Sequence, residues 1–445
     1  MSRKIPWVVL VLALGLPGTA GAAPSASLDH PAALTPGAWP MFHSDLQRTG
    51  VNPSETTLTR SNVKFLGTKW IGFDMGGLVD ESSPAVVNGV VYIGDSWLGQ
   101  LWAFDTNCAT GGAFCTPAWQ GRTPGGYGIY SSPAVADGVV YIGSADHHLY
   151  AFPAGGCRHA TCMPLWAGDM DASVLDSSPL VANGVVYVGT FDDKLYAFPA
   201  AGCSSSHCSP LWVGSPEKPL GFSHGFRSPA ISGDVVYVGS ESGLLYAFAA
   251  GGCGNTTCLP LWRGQTGSGG VSGPAISNGV VYVGVDQGLE AFDAAGCGAR
   301  RCQPLWTGEH GFDQYAPGTP AVSNGLVYIG VGSDLLVFGA NGCGQAVCDV
   351  VWLANDGGTQ AEIISSAAVA NGVVYVGENV AKVWAVATNG CGRVLCGARW
   401  TGFTNDSIVS SSPAIADGVL YIGSGDKFYP DDQAGRLYAF SLSGQ

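Results

Sequence analysis

The stretch Ser131–Cys157, SSPAVADGVVYIGSADHHLYAFPAGGC, holds three short apolar blocks separated by turn residues. The first block, P-A-V-A, meets the second, V-V-Y-I-G, through Asp137-Gly138. That dipeptide suits a type I′ hairpin turn, in which both central residues take positive φ. The third block, L-Y-A-F, runs into Gly-Gly-Cys. Short β-branched and aromatic runs bounded by Gly, Asn, Asp and Pro are the pattern of antiparallel strands. The pattern recurs along the 445 residues every 45 to 50 positions, a period in the range of propeller blades.

Eight copies of the first block stand at or near Pro84, Pro133, Pro179, Pro229, Pro274, Pro320, Ala367 and Pro413. The second block carries Tyr92, Tyr141, Tyr187, Tyr237, Tyr282, Tyr328, Tyr375 and Tyr421. The third ends at Phe104, Phe152, Phe198, Phe248, Phe292, Phe338, Val386 and Phe440. A fourth block places a tryptophan at Trp119, Trp166, Trp212, Trp262, Trp306, Trp352 and Trp400. Four strands per unit and eight units predict an all-β fold, an eight-bladed β-propeller. The last unit lacks a fourth block, whereas Trp70, in Val63–Ile71, is a tryptophan block with no repeat before it. An N-terminal strand is therefore expected to complete blade eight and close the ring.

All 14 cysteines fall in one phase of the repeat, each second cysteine four residues before its tryptophan. The pairs are Cys108/Cys115, Cys157/Cys162, Cys203/Cys208, Cys253/Cys258, Cys297/Cys302, Cys343/Cys348 and Cys391/Cys396. Neighbouring strands lie about 5 Å apart, so C-x4-C across a turn reaches disulfide distance. A zinc site needs four converging ligands, and pairs spread one per blade do not converge. Seven disulfides, each stapling the turn between strands three and four of its blade, are expected.

The first 22 residues have the layout of a secretory signal: Arg3 and Lys4, an apolar run Ile5–Leu16, and Ala20-Gly21-Ala22 before cleavage. The apolar run is too short to span a bilayer. Residues 23–37, rich in Ala, Pro and Ser, read as a flexible lead-in, and 38–445 as one propeller domain. Export places the thiols where disulfides persist. The expected location is extracellular or periplasmic, with no transmembrane anchor, as a monomer. A net charge of −14 and a pI of about 4.8 argue against a nucleic-acid partner, which calls for basic stripes.

The repeat S-P-A-V-x-x-G-V-V-Y-(I/V)-G…L-Y-A-F…W resembles the PQQ-like (pyrroloquinoline quinone) β-propeller repeat. The segment Trp39–Pro53, WPMFHSDLQRTGVNP, is similar to the one preceding many such propellers. The resemblance covers nearly all of the expected mature chain and implies the propeller fold. For function it implies three readings: a quinoprotein dehydrogenase using PQQ with Ca²⁺ to oxidise an alcohol or sugar, an envelope assembly scaffold of the BamB type, or a secreted binding propeller. Several features depart from the dehydrogenases. Their A-x-D-x-x-T-G-x-x-x-W pattern keeps its Asp only at Asp105 and Asp293, and Pro153 and Pro199 replace it elsewhere. The Thr-Gly pair has become Gly-Cys, as at Gly156-Cys157. Neither the adjacent Cys-Cys on which several of those enzymes stack the quinone nor a C-x-x-C-H haem motif is present.

Propeller geometry puts the Asn-Gly and stapled turns on one face, short and uniform. The blade-entry loops and the strand two-to-three loops lie on the other, and these vary. Function concentrates on variable loops held by a rigid scaffold. The positions entering the inner strands predict ligand contacts at the channel mouth from Glu81, Tyr130, Asp176, Arg227, Tyr315 and Glu362, flanked by the long blade-eight loop Gly423–Arg436 with Asp431 and Asp432. The bland alternative is that these residues cap turns around a wet channel. His147-His148 reads as a solvated pair. No Ser-His-acid order, P-loop or H-E-x-x-H occurs. The sequence assigns no catalytic residue and no metal ligand set, and expects a non-catalytic scaffold for a small molecule or protein.

Overall fold

The computed structural model describes residues 37–73, 75–216, 225–267, 269–286, 288–309, 318–358, 361–425 and 435–442. The segment expected to be a signal and nearly all of the expected lead-in lie outside them, as do Tyr315 and most of the blade-eight loop. Among the described residues, no helix is long and apolar enough to cross a membrane.

Eight sheets form the eight blades of a β-propeller. Blade 1 runs from the inside outwards as Ala85–Val87, Val90–Gly94, Gln100–Asp105 and Trp119–Arg122. The inner hairpin turns on Asn88 and Gly89, with φ of 51° and 77°, as its type I′ dipeptide dictates. Apolar side chains on both faces of each sheet are buried between blades: Val91, Ile93, Leu101, Ala103 and Phe104 are all fully inaccessible.

Each sheet has a fifth strand, which the repeat pattern does not announce. The two residues Thr161–Cys162, from the stapled turn of blade 2, pair parallel with Gln120 and Gly121 on the outer strand of blade 1. The same step recurs around the ring. Cys208, Cys258, Cys302, Cys348 and Cys396 pair with Gly168, Gly214, Gly264, Gly308 and Ala354 of the preceding blades, and Cys115 with Gly72 of the strand that closes blade 8. The expected staple between strands three and four stands, and the stapled turn makes this pairing in addition. The turn overshoots its own blade and uses the unpaired backbone groups that the neighbour's edge strand leaves open.

All seven disulfides form at the expected pairs, with no free cysteine among the described residues. Their two halves differ in a way that the reading as plain turn staples did not foresee. The first cysteines stand in the turns, and all but the half-buried Cys157 are exposed. The second cysteines, Cys115, Cys162, Cys208, Cys258, Cys302, Cys348 and Cys396, are buried. The physical reason is the fifth strand, which carries each second cysteine inward against the sheet of the preceding blade. Cys115, Cys302 and Cys348 each belong to a hydrophobic core cluster. They are therefore packing residues of the blade junctions as well as staples, and none of them is presented to a ligand.

Two further ties accompany the fifth strand. The Tyr92 hydroxyl donates to the carbonyl of Ala154 in the next blade at 2.8 Å, and Tyr141, Tyr187, Tyr237 and Tyr282 repeat the bond to Ala200, Ala250, Ala294 and Ala340. The glycine before the first cysteine lies against the tryptophan of the preceding blade. A Cβ on Gly156, where φ is +74°, would sit 2.9 Å from Trp119 Cδ1, so a side chain would prevent the contact.

The ring closes as the orphan tryptophan block requires. Leu66–Gly72 pairs antiparallel with Arg436–Leu442, with Trp70 opposite Ala439 and Ile71 opposite Tyr438. Val63–Phe65, expected as strand, is a 3-10 turn. The blade 7–8 junction has no stapled turn among the described residues, and the N-terminal segment covers it instead. Trp400 Nε1 donates to Leu66 O at 3.0 Å, Arg60 Nε to Gly372 O at 3.1 Å, and the N–H of Gly418 to Glu55 Oε2 at 2.8 Å.

The channel of this propeller is plugged by its own chain. From Trp39 to Asn52 the N-terminal segment circles inside the ring and pairs with the inner strands. The N–H groups of Val86, Val135, Ile231, Ile276, Val322 and Val369 donate to the carbonyls of Trp39, Pro40, Leu46, Gln47, Thr49 and Gly50, at 2.7–2.8 Å. Val51–Asn52 then pairs parallel with Val369 and Ala370, and Asn52 Nδ2 reaches Ile415 O at 2.8 Å. Arg48, fully buried, donates to the carbonyls of Phe42, Pro229, Ser178 and Pro179. The wet channel expected from the sequence is filled at this level.

Candidate functional site

The S-S-P that opens four of the eight blades has a different task for each serine. The first caps its own blade: Ser82 Oγ accepts the Gly94 N–H at 2.9 Å, and Ser131 and Ser177 do the same for Gly143 and Gly189. The second links neighbouring blades. Ser132 Oγ accepts the Ser83 N–H at 2.9 Å, Ser178 that of Ser132 at 3.0 Å, and Ser228 that of Ser178 at 2.8 Å. Across the ring, Ser366 accepts from Thr319, Ser412 from Ser366, and Ser83 from Ser412. Gly273 stands in the serine's place in blade 5 and interrupts the circle.

Above this circle lies a cavity of about 420 Å³. Phe42 of the plug lines it, together with Ser83, Ser132, Ser178, Ser228, Thr319 and Ser366 of the hydroxyl circle. Glu81, Tyr130, Asp176 and Arg227, four of the six residues singled out in the sequence, line it too, with Glu241. Arg227 Nη1 is 3.3 Å from Asp176 Oδ1 and Nη2 is 3.0 Å from Glu241 Oε1, while its buried Nε has no hydrogen-bond partner. Leu175, Ile364 and Val409 add apolar wall.

Glu362 is exposed and does not line the cavity; its N–H and C=O pair with Asn379 of its own blade. Ile364, two residues on, takes the inward position. Tyr315 lies outside the described residues. Sequence reasoning missed Phe42 and gave Glu241 no role at the mouth. Glu241 had a signal, since it sits in a strand two-to-three loop on the variable face. Phe42 had none, because the plug shares no periodicity with the blades.

Several carboxyls near the loops are buried and titrate high. Burial pushes Asp95 up to about 6, although it accepts the N–H groups of Trp97 and Leu98 and the Trp102 indole. These bonds are those of a turn cap. Burial likewise raises Glu378 to about 7; its Oε1 accepts the Trp384 indole N–H at 2.5 Å, and Oε2 has no partner.

The cavity is a poor match for pyrroloquinoline quinone. That molecule carries three carboxylates, and the described lining offers Glu81, Asp176 and Glu241 against the single cation Arg227, which two of those acids already engage. Like charges meeting in a confined site oppose binding. All seven disulfides lie in the stapled turns, away from this lining.

Known structures share the fold. Quinohemoprotein alcohol dehydrogenase from Comamonas testosteroni is similar at a TM-score of 0.65 and 15% identity, over 93% of this chain and 82% of that one. BamB from Moraxella catarrhalis is similar at 0.58 and 15%, over 85% and 98%. The computationally designed Ika8 protein is similar at 0.61 and 14%, over 83% and 99%. Identities this low establish fold alone. No curated protein matches the chain. The family model described as outer membrane protein assembly factor BamB matches residues 99–252 and 204–445. With the eight blades and their shared repeat, that match makes this chain a member of the PQQ-like propeller family to which BamB belongs.

Proposed function

We propose that the protein is an exported, non-catalytic binding propeller that takes a small polar ligand, or the polar end of a larger one, at the plugged channel mouth. The observation that carries this reading is the cup itself. Its wall hydroxyls accept backbone N–H groups and keep their own protons to donate inwards, its rim holds Glu81, Asp176, Glu241 and Arg227, and Phe42 lines its base. Such a site supplies hydrogen bonds and both charge signs. Its described lining contains no His, Cys or Lys, so it holds none of the usual partners that activate a serine. The seven staples and the signal-like N-terminus support export.

The test is a titration of the mature protein with pyrroloquinoline quinone and Ca²⁺, followed by dye-coupled alcohol oxidation. The reading expects neither stoichiometric binding nor turnover. In a thermal-shift screen of sugars, amino acids and short peptides it expects a ligand-dependent rise in Tm that Arg227→Ala abolishes. Quinone binding with turnover overturns it in favour of a dehydrogenase.

A protein-binding scaffold of the BamB type is the second reading. A repeated apolar belt favours it: Leu165, Leu211, Leu261, Leu305 and Val351, each directly before a blade tryptophan, are all more than half exposed. Exposed apolar surface repeated in this way marks interaction sites.

A further inference from the structure

Where blade 2 meets the stapled turn of blade 3, the strand register assembles two histidines and a carboxylate. His148 opens the third strand, His148–Pro153, and stands opposite Asp169, the last residue of the fourth strand, Trp166–Asp169. The next blade lays His207–Cys208 parallel to that fourth strand, with His207 beside Ala167. Side chains alternate along a strand, so Asp169 and Ala167 share a face, and His148, Asp169 and His207 emerge together. His148 Nε2 is 3.4 Å from Asp169 Oδ1, and His207 Nδ1 is 2.8 Å from the same oxygen. One donor atom from each of the three residues lies within 4.8 Å of the others.

We propose that His148, Asp169 and His207 bind a divalent transition-metal ion of the zinc type, bridging blade 2 to the stapled turn of blade 3. Three lines of chemistry support the site. Two imidazoles and one carboxylate are a zinc donor set, whereas Ca²⁺ and Mg²⁺ require oxygen-rich shells. Donors about 2.1 Å from a tetrahedral ion are about 3.4 Å apart. The His148–Asp169 pair already has that spacing, and the His207–Asp169 pair would open by roughly 0.6 Å on the same geometry. The side chains of His207 and Asp169 are 60% and 53% exposed, which leaves them room to shift, and the ion would take the place of the proton that joins His207 Nδ1 to the carboxylate.

The third line is orientation. His148 Nδ1 lies 2.8 Å from the Asp146 carbonyl oxygen and 3.3 Å from its carboxylate. A carbonyl only accepts, so Nδ1 is the nitrogen that donates here, and Nε2 is the one turned towards Asp169 as the ligand atom. Metal-binding histidines are held this way by an outer partner. Asp146 is fixed in turn by the Tyr150 hydroxyl at 2.8 Å, and the His148 ring stacks on Tyr150.

The repeat supplies an internal control. The positions paired like His148 and Asp169 are Gln100 and Arg122 in blade 1, Leu244 and Gln265 in blade 4, and Gly288 and Glu309 in blade 5. The residues corresponding to His207 at those junctions are Thr161, Arg301 and Val347. Blade contact therefore does not require the triad. His147, adjacent in sequence, is not part of it. The second imidazole comes from the next repeat, which is why the His147-His148 pair gave no metal signal.

The test is calorimetric titration of tag-free, disulfide-intact protein with Zn²⁺, with Co²⁺ as a spectroscopic substitute. The expected result is one equivalent of Zn²⁺ that excess Ca²⁺ and Mg²⁺ do not displace, and visible ligand-field bands with Co²⁺. His148→Ala and His207→Ala should each lower affinity about 100-fold or more, and Asp146→Ala, through orientation, about 10- to 100-fold. These residues lie at a partly exposed edge, so an unchanged circular dichroism spectrum and Tm without metal will show that the variants fold. Failure of the wild type to bind stoichiometric Zn²⁺, or equal binding by the His148→Ala/His207→Ala double variant, overturns the proposal.

Discussion

Glu378→Gln should stabilise the protein at neutral pH and leave it nearly unchanged in acid. Glu378 ends the second strand of blade 7, fully inaccessible, with one oxygen on the Trp384 indole and the other without a partner. Burial, reinforced by the nearby Asp356 charge, raises its carboxyl from 4.5 to about 7. The native state thus holds the proton more tightly than the unfolded chain. The contribution to stability is complete below pH 4.5 and is lost as pH rises towards 7. At about 1.4 kcal/mol per pH unit, the loss amounts to about 3 kcal/mol. Glutamine keeps the acceptor for Trp384 and cannot ionise, so the variant should exceed the wild type by about 3 kcal/mol at pH 8 and match it near pH 4.5. Urea unfolding of both proteins at the two pH values measures this. Taking the difference between them cancels Asp95, which burial shifts the same way. A stability difference that does not change with pH, or a variant less stable at pH 8, would refute the reasoning.

Arg48→Ala leaves buried carbonyls of Phe42, Pro229, Ser178 and Pro179 without their donor; it should cost about 3–5 kcal/mol and open the plug to limited proteolysis, read by mass spectrometry. A chain starting at Gly37 should keep the parental Tm. One starting at Phe73 loses both plug and closing strand, bares the edge of Arg436–Leu442, and should aggregate in light scattering. Peptide mapping without reduction should find only the seven local disulfides, and replacing both Cys391 and Cys396 by Ser should lower stability by roughly 2 kcal/mol in chemical unfolding.

The two buried acid–indole pairs show how far the text of the repeat can be read. Blades 1 and 7 carry Trp102 and Trp384 where blades 2, 3, 4 and 8 carry tyrosine, and each has an acid, Asp95 or Glu378, at the end of the second strand. A tyrosine hydroxyl reaches the edge of its blade, as Tyr150 does to Asp146. An indole N–H is buried deeper and needs an internal acceptor. Both halves of the pair stand within one repeat, so the association is visible in the sequence once the register is known. Arg227 was legible for a related reason: it stands before Ser228 where several other blades have serine, and that departure from the pattern pointed to a cation at the mouth.

The number of blades, their order of strands, the seven staples and the strand that closes the ring are all legible in the bare chain. Each depends on contacts within a repeat, or on a fragment of a repeat missing at one end and present at the other, and local periodicity records both. What happens between repeats and inside the ring is set by the assembled fold. The cysteine strand's step onto the preceding blade, which buries Cys115, Cys302 and Cys348, depends on how neighbouring sheets are set against each other. So do the meeting of His148 with His207 and the inward place of Ile364 rather than Glu362. The plug depends on it most. Residues 39–52 have no repeat partner and no regular apolar period, and their buried hydrogen bonds are made to seven different inner strands. Those acceptors and donors come within reach of one short segment only after the ring has brought every blade to a common axis.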